Sequence, residues 1–301
     1  MAPEYLKVPV EVLHREFTRV EEGPKPSRVN KRERGKASLA EAKEIMKEKD
    51  FIGPDALKTI FGIEVKDVPP IPFSAVELTE AKERGEFLIL RMDALPGGKP
   101  LTMQNLDLYF AGDFKALHNP TDDWKVKSEF FTKETPRVSW ALVSKELIQN
   151  STIKNYYDQT IAIRDHLKNE VFKGGMSREY EDAIQEFEAW VNATFPGKTS
   201  IQIKAELQDN NKWQQYAERL ANLKINQMCR QSGVDVLFDL AAYYKHNGVH
   251  LLPSTWTWTK SRDSDGRLVL VGVFDAVGAH VGRYSPDVTV GLLGVLLSRT
   301  A

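Results

Sequence analysis

The feature that most constrains this chain is a change in hydrophobic periodicity at Gly248. Before it, apolar residues recur every three or four positions over long stretches, which is the period of amphipathic helices. After it, Trp256 and Trp258 alternate with threonines, which is the period of a strand built from residues that favour strands. We therefore predict an α+β protein, in which a helical and mixed region is followed by a β-rich carboxy-terminal part.

The size of the chain allows one large domain or two modest ones, and we expect two. With 301 residues the chain is long enough to bury a full hydrophobic core. Its 41 basic and 42 acidic residues nearly cancel, so the field of the whole molecule does not attract a polyanion. Nucleic acid is therefore not expected as a partner, and only a local patch could recruit it.

The cysteine content and the amino terminus bear on location. Cys229 is the one cysteine, which excludes an intramolecular disulfide and a cysteine-based zinc site. It follows a helical apolar pattern, which indicates a buried residue rather than a nucleophile. The first residues do not resemble a signal peptide, and no apolar run is long enough to span a membrane. A cytoplasmic location is the default expectation, with carriage on a virus particle or signal-independent export as alternatives.

Composition divides the chain into three segments. Residues 1–37 are predicted to be a basic, flexible and solvated arm, and docking of this arm on phosphate or an acidic partner is the alternative. Residues 38–135 are predicted to form a mixed α and β region, with capping-box spacings at Ser38 and Ser74. Residues 136–301 are predicted to form the carboxy-terminal domain, whose β-rich binding segment is 249–301.

No set of residues assembles a recognised catalytic centre. The six histidines form no His-Glu-x-x-His arrangement, and nucleophile-elbow, Gly-x-Gly-x-x-Gly and Walker patterns are absent from the sequence. The Asp-Ser-Asp-Gly run at 263–266 predicts a hairpin turn, because Gly272 stands where a calcium loop beginning at Ser261 needs its closing acid. Paired carboxylates such as Asp122 and Asp123 are too common in this chain to identify a glycosidase. We predict neither a cofactor nor a metal.

Residues 271–292 follow neither a two-residue nor a helical period. If alternation fails, some apolar groups are expected to face solvent or a partner. Phe274, Val277, His280, Arg283 and Tyr284 in this stretch have the composition of a contact patch. The alternative is an ordinary core whose loops contain small residues.

The carboxy-terminal motifs carry a resemblance to a known fold. They are the Leu-Leu-Pro run at 251–253, a tryptophan strand ending at Ser261 and Arg262, Val271 with Gly272, and the Gly-Val-Leu-Leu-Ser-Arg run at 294–299. Together they resemble the C-type-lectin-like fold shared by formylglycine-generating enzymes and by the variable proteins of diversity-generating retroelements. Residues 71–74, 100–103 and 140–145 are similar to those of uncharacterised proteins from candidate-phylum bacteria that have the same tail.

The resemblance implies a fixed frame that carries diversified positions. The frame would consist of Trp256, Trp258, Gly272, Gly294, Ser298 and Arg299. The diversified, ligand-binding positions would be Val273, Phe274, Ala276, Val277, Ala279, His280, Gly282, Arg283, Tyr284, Val288, Thr289 and Val290. The formylglycine-generating branch fits less well, because its chemistry needs a cysteine pair and this chain has Cys229 alone.

We therefore expect a non-enzymatic binding or display protein whose partner is an unidentified protein or surface ligand. Phe274, Arg283 and Tyr284 would be its anchors, since aromatic residues and arginine dominate binding energies. The first alternative is an enzyme or accessory factor with an unassigned carboxylate site in a cleft between the two regions. The second alternative is a structural subunit of a larger assembly.

Overall fold

The computed structural model of the protein describes residues 35–209 and 211–300. The strands are β1 (Phe51–Ile52), β2 (Glu86–Arg91), β3 (Ala94–Leu95), β4 (Lys99–Pro100), β5 (Ser139–Leu147), β6 (Trp256–Arg262), β7 (Leu268–Asp275), β8 (Gly278–Tyr284), β9 (Leu293–Gly294) and β10 (Leu296–Thr300). The helices are α1 (Leu39–Met46), α2 (Pro54–Phe61), α3 (Ala75–Glu83), α4 (Met103–Phe110), α5 (Asp123–Val126), α6 (Glu129–Thr132), α7 (Tyr156–His166), α8 (Arg178–Thr194), α9 (Ser200–Leu207), α10 (Trp213–Asn222), α11 (Lys224–Cys229) and α12 (Gly233–Asn247). The fold is therefore α+β, with several sheets.

Local sequence signals set many helix boundaries. The predicted capping box at Ser74 is present, with the Ser74 hydroxyl and the Glu77 carboxylate each bonded to the other's backbone amide. Ser38 caps α1 through the amide of Glu41. Gly248 ends α12 in the left-handed conformation, at a φ of 67°, as the change in periodicity predicts. Cys229 is buried, as expected.

The predicted arm lies almost entirely outside the described residues, which begin at Gly35. Lys36 already forms a bridge to Ser74, and the amide of Ala37 donates to the carbonyl oxygen of Phe73 at 2.9 Å. Ala37 is buried. The end of the segment assigned to the arm is therefore part of the packed protein.

One sheet joins the two predicted regions, in the strand order β1-β2-β5-β10. Strand β1 is parallel to β2, whereas β5 is antiparallel to both β2 and β10. Leu142 in β5 is opposite Leu88 in β2 on one side and Arg299 in β10 on the other. Residue contacts place the described residues in a single unit. Strand pairing therefore connects the residues on the two sides of the boundary predicted at residue 136.

A second sheet, in the order β8-β7-β6-β9, lies between two hydrophobic cores. Val269, Val271 and Val281 belong to a first core, which also contains the apolar residues of α12 and of the first sheet. Trp258 and Leu270 belong to a second core, formed mainly by α7 to α11. Both faces of the inner strands are therefore buried.

This two-sided burial accounts for part of the missing alternation in residues 271–292. A strand covered on both faces needs no polar side, and Val271, Phe274 and Val281 are buried. Other apolar groups of the stretch face solvent, as expected: Val277 is 44 %, Tyr284 is 43 % and Leu292 is 55 % exposed.

Among the described helices, none is long and apolar enough to cross a bilayer.

Candidate functional site

The predicted frame residues are packed at positions that tolerate little change. Trp258 is 1 % exposed, and its ring contacts that of Tyr156 at a centroid distance of 5.7 Å. A Cβ atom on Gly272 would lie 2.2 Å from the carbonyl oxygen of Thr255, so β6 and β7 approach each other more closely than a side chain permits. A Cβ on Gly294 would lie 2.7 Å from Ser151 Oγ.

The two polar frame residues in β10 fix charges inside the first sheet. Arg299 is buried, and its Nη2 donates to Glu86 Oε2 at 2.8 Å. Ser298 Oγ accepts a hydrogen bond from Arg91 Nη2 at 2.9 Å. Both contacts join β10 to β2, although more than two hundred residues separate the strands in sequence. The Ser-Arg pair therefore holds two sequence-distant strands together, while Trp256 is only partly buried.

A bulge in β7 turns the chain after the close approach at Gly272. The β7–β8 register shifts between Gly272 and Asp275, and Val273 has a φ of 45°. A positive φ is a strained conformation for a β-branched residue. The amide of Val273 donates to the carbonyl oxygen of Thr255 at 2.8 Å, and that of Phe274 donates to Leu252 at 3.0 Å. These hydrogen bonds hold the strained turn, which directs Phe274 inward.

Phe274 is consequently a core residue, and its assignment as a ligand-binding anchor is corrected. It is 0 % exposed, and its ring contacts those of His250, Tyr244 and Phe114 at centroid distances of 4.8, 5.9 and 6.3 Å. Ala279 is also fully buried. Neither side chain can touch a ligand without opening the first core.

The remaining predicted positions lie on or near the edge strand β8 and the segments that flank it. Ala276 and Val277 are exposed in the turn before β8, Tyr284 is exposed at its end, and Thr289 is exposed in the following loop. Val273, Gly282, Val288 and Val290 are only partly buried. We define the β8 rim as the exposed residues Ala276, Val277, Tyr284 and Thr289 together with His280 and Arg283, which are partly buried polar residues of β8.

Arg283 is held in place by charges on the β6–β7 turn and by an aromatic ring. Its Nη1 lies 2.5 Å from Asp263 Oδ2 and 2.7 Å from Asp265 Oδ2. The guanidinium also lies 4.7 Å from the centre of the Trp124 ring, within the range of a cation–π contact. Asp263 in turn accepts hydrogen bonds from the amides of Asp265 and Arg267, which fixes the turn. Arg283 is therefore oriented before any ligand arrives.

His280 belongs to a small aromatic group that includes a residue from the first region. Its ring stacks on that of His118 at 4.1 Å between centroids, and it meets the edge of Trp256 at 5.9 Å. Partial burial and the neighbouring His118 lower the pKa of His280, which favours its neutral form at neutral pH. The backbone amide of His118 donates to the carbonyl oxygen of Ala279 at 2.9 Å, so this segment also covers part of the β8 edge.

Sequence reasoning missed His118 and Trp124, because both precede the predicted domain boundary. Each lies more than one hundred residues from the strand it supports. The one available signal was composition, since Trp124 is an aromatic residue in an otherwise polar stretch. Sequence reasoning also did not show that Phe274 and Ala279 are buried.

The β8 rim carries the oriented guanidinium of Arg283, the imidazole of His280, the phenol of Tyr284 and three small side chains, and the imidazole of His118 is stacked on that of His280. Among the residues that the structure describes, no group of three or more His, Cys, Asp or Glu side chains is arranged to hold a metal ion. No protein-family model, curated protein or solved structure matches the chain.

Proposed function

We propose that the protein is a non-enzymatic binding protein that holds a protein or surface ligand against the β8 rim. One observation carries this proposal: accessible side chains project from a strand whose neighbours are buried on both faces. The exposed rim residues Ala276, Val277, Tyr284 and Thr289 can therefore change in sequence without disturbing either core. Exposed substitutions usually alter stability by about 0.5 kcal/mol or less, whereas core substitutions cost several times more.

The composition and rigidity of the rim support the same proposal. Tyr284 and Arg283 are of the residue types that dominate binding energies at protein interfaces. Arg283 is already restrained by Asp263, Asp265 and Trp124, so little side-chain entropy is lost when it contacts a ligand. Val277 and Ala276 provide an apolar area beside these polar groups.

We further propose that residues 136–301 adopt the C-type-lectin-like fold of retroelement variable proteins. Pairing of β5 with β10 supports this, because the first and last strands of that segment are adjacent. The packed frame residues Trp258, Gly272, Gly294 and Arg299 also support it, since a diversified surface needs neighbours that stay fixed. Under this proposal the variable positions are those of the β8 rim with Val273, Gly282, Val288 and Val290, and exclude Phe274 and Ala279.

Sequencing the locus in sibling strains tests the proposal. We expect substitutions to concentrate at the β8 rim, while Trp258, Gly272 and Gly294 stay constant. A neighbouring reverse transcriptase gene, with a near-copy of the final coding stretch that differs mainly at adenines, would identify the source of variation. Substitutions spread evenly over exposed residues of the whole protein would contradict the proposal. Phe274 provides an internal control, because its burial predicts that it does not vary.

A further inference from the structure

A polar cleft of about 480 Å³ lies where the first sheet approaches β6 and the start of α12. Its lining comes from both predicted regions. The first region contributes Arg91 from β2 and Glu134 from the segment before β5. The second contributes Asp235 from α12 and Lys260 from β6. The hydroxyl-bearing residues in the lining are Thr135, Ser139, Ser232, Ser298 and Thr300. The cleft shares no residue with the β8 rim.

One side of the cleft is formed by Arg91, whose charge is balanced by an ion pair with Asp239. Arg91 Nε donates to Asp239 Oδ1 at 3.0 Å, and Gln231 Nε2 donates to Asp239 Oδ2 at 2.7 Å. All three residues are buried. Burial with good hydrogen bonds on both partners is the arrangement in which a buried ion pair is tolerated. Arg91 is thus committed to the protein itself and offers little to a ligand.

Lys260 and Arg137 differ from Arg91 because neither has a carboxylate oxygen of a described residue within 4.0 Å. Arg137 is exposed. Arg230 also lines the cleft without such an ion pair, but its guanidinium is already bonded to Asn226, Gln159 and the carbonyl oxygen of Tyr156. The Lys260 ammonium donates to the carbonyl oxygen of Gln227 at 3.1 Å. Burial lowers the pKa of Lys260, and the charges of Asp235 and Glu134 oppose this effect. A partly buried ammonium that has no ion pair with a described residue is a place where a bound anion gains energy.

Glu134 adds a group that can carry a proton near neutral pH. Its Oε2 accepts a hydrogen bond from Ser261 Oγ at 2.5 Å, and that hydroxyl oxygen accepts one from the amide of Gly233 at 2.9 Å. Burial raises the pKa of Glu134 to about 7, and the charge of Asp235 acts in the same direction. A protonated carboxyl group can donate a hydrogen bond to an anion, whereas a carboxylate repels it.

We propose that this cleft binds a small organic anion through a carboxylate group held by Lys260 and Arg137, with Glu134 donating a hydrogen bond to it. The volume lies within the range of ordinary small-molecule sites. The many hydroxyl groups suit the polar remainder of such a ligand. The site lies between the two predicted regions, at the place where the alternative interpretation of the sequence expected an unassigned carboxylate.

Binding at this site depends on pH in a defined direction. The charged groups that line the cleft with Glu134 are Asp235 from α12, Lys260 from β6, Arg137 before β5, Arg91 from β2, Glu179 from α8 and Arg230 after α11. As pH rises through about 7, Glu134 acquires a negative charge and the affinity for an anion falls. Loss of a proton from Lys260 at higher pH acts in the same direction. For a ligand that binds only the protonated form, affinity falls about tenfold between about pH 6 and about pH 8.

Calorimetric titration of the full chain with succinate tests the proposal. We expect saturable binding at about pH 6 that weakens about tenfold by about pH 8. Lys260→Met is expected to lose at least about tenfold in affinity at about pH 6, since it removes a charge-assisted hydrogen bond to the ligand. Lys260→Arg is expected to retain binding. Glu134→Gln is expected to lose most of the decline between about pH 6 and about pH 8, because the amide cannot ionise and only the proton of Lys260 is left to titrate.

Controls separate this site from general effects. Lys154 lines a different cleft and is also partly buried, so Lys154→Met is expected to bind succinate as the unaltered protein does. Thermal unfolding of each variant shows whether it is folded. The proposal is overturned if succinate does not bind, if folded Lys260→Met binds it normally, or if Glu134→Gln keeps the pH dependence. Binding of inorganic phosphate without succinate would overturn the assignment to a carboxylate. None of these results depends on the β8 rim.

Discussion

Trp258 and Tyr284 belong to one sheet and touch each other, but they belong to different environments. Their ring centroids are 6.3 Å apart, yet Trp258 is 1 % exposed and Tyr284 is 43 % exposed. Trp258 lies on an inner strand covered on both faces, whereas Tyr284 lies at the end of the edge strand. The sheet thus changes from core to surface within two strand spacings. Proximity in sequence or in space is therefore a poor guide to which of its residues can vary.

The largest expected effect comes from Phe274, which the sequence placed on the surface and the structure places in the core. Phe274→Ala is expected to lower the free energy of unfolding by about 3–5 kcal/mol, because it empties a site enclosed by aromatic rings. Tyr284→Ala is the matched control, and we expect it to cost less than about 1 kcal/mol. Chemical denaturation measures both. Equal costs would mean that the contrast between Phe274 and the β8 rim is wrong.

The next effect concerns a partly buried carboxylate, Glu134, compared with an exposed one. Glu134 is partly buried with a pKa raised to about 7, so between about pH 4.3 and 7 the folded protein holds a proton that the unfolded chain releases. The free energy of unfolding is therefore expected to fall as pH rises through this range, by up to about 3 kcal/mol. Glu134→Gln should remove that contribution, as shown by denaturation at several pH values.

The control for Glu134 is Glu129, a nearby carboxylate that is fully exposed. The ammonium group of Lys133 lowers the pKa of Glu129, so its ionisation does not oppose folding as pH rises. Glu129→Gln should leave the decline between about pH 4.3 and 7 unchanged. A decline that disappears in Glu129→Gln and persists in Glu134→Gln would contradict the assignment.

A smaller effect compares two glycines in adjacent strands. Gly272→Ala places a Cβ 2.2 Å from Thr255 O and 2.6 Å from Trp256 Cα, and backbone atoms cannot move aside easily. We expect a cost of about 1–3 kcal/mol. At Gly282 the nearest atoms belong to the Leu270 side chain, at 3.3 Å or more, so Gly282→Ala should cost less. Thermal unfolding measures the cost of each variant. A larger cost for Gly282→Ala than for Gly272→Ala would contradict the assignment of Gly272 to the fixed frame.

The smallest effect is expected at the β8 rim itself. Val277→Ser and Thr289→Lys change exposed side chains, and each should shift the free energy of unfolding by no more than about 0.5 kcal/mol. Thermal unfolding of the single variants and of the double variant checks this. A loss of several kcal/mol at either position would show that the rim is part of the core and unsuited to variation.

Features with local causes could be predicted from the sequence. The capping box at Ser74 and the end of α12 at Gly248 depend on residues a few positions apart. The frame residues Gly272 and Arg299 came from the resemblance, and the structure gives each a packing reason. The general α+β class followed from the change in hydrophobic period alone.

Features that depend on distant residues could not be predicted. The second face of the carboxy-terminal sheet is covered by the first core, so the missing alternation could not show that Phe274 and Ala279 are buried while Val277 and Tyr284 are exposed. His118 and Trp124 reach the β8 rim from the first region. The polar cleft draws its charged side chains from several separate elements. Hydrophobic periodicity reports which residues are buried, but it does not report which segment buries them.

The position of β10 also affects how the chain reaches its folded state. Arg84 pairs with Glu86 locally, but Arg299 pairs with it across 213 residues of sequence, so this second contact cannot form until Arg299 has left the ribosome. Contacts that close such long loops form slowly. Until then the β5 edge is open to strands from other molecules. Premature termination before β10 is thus expected to produce an aggregating product rather than a smaller folded one.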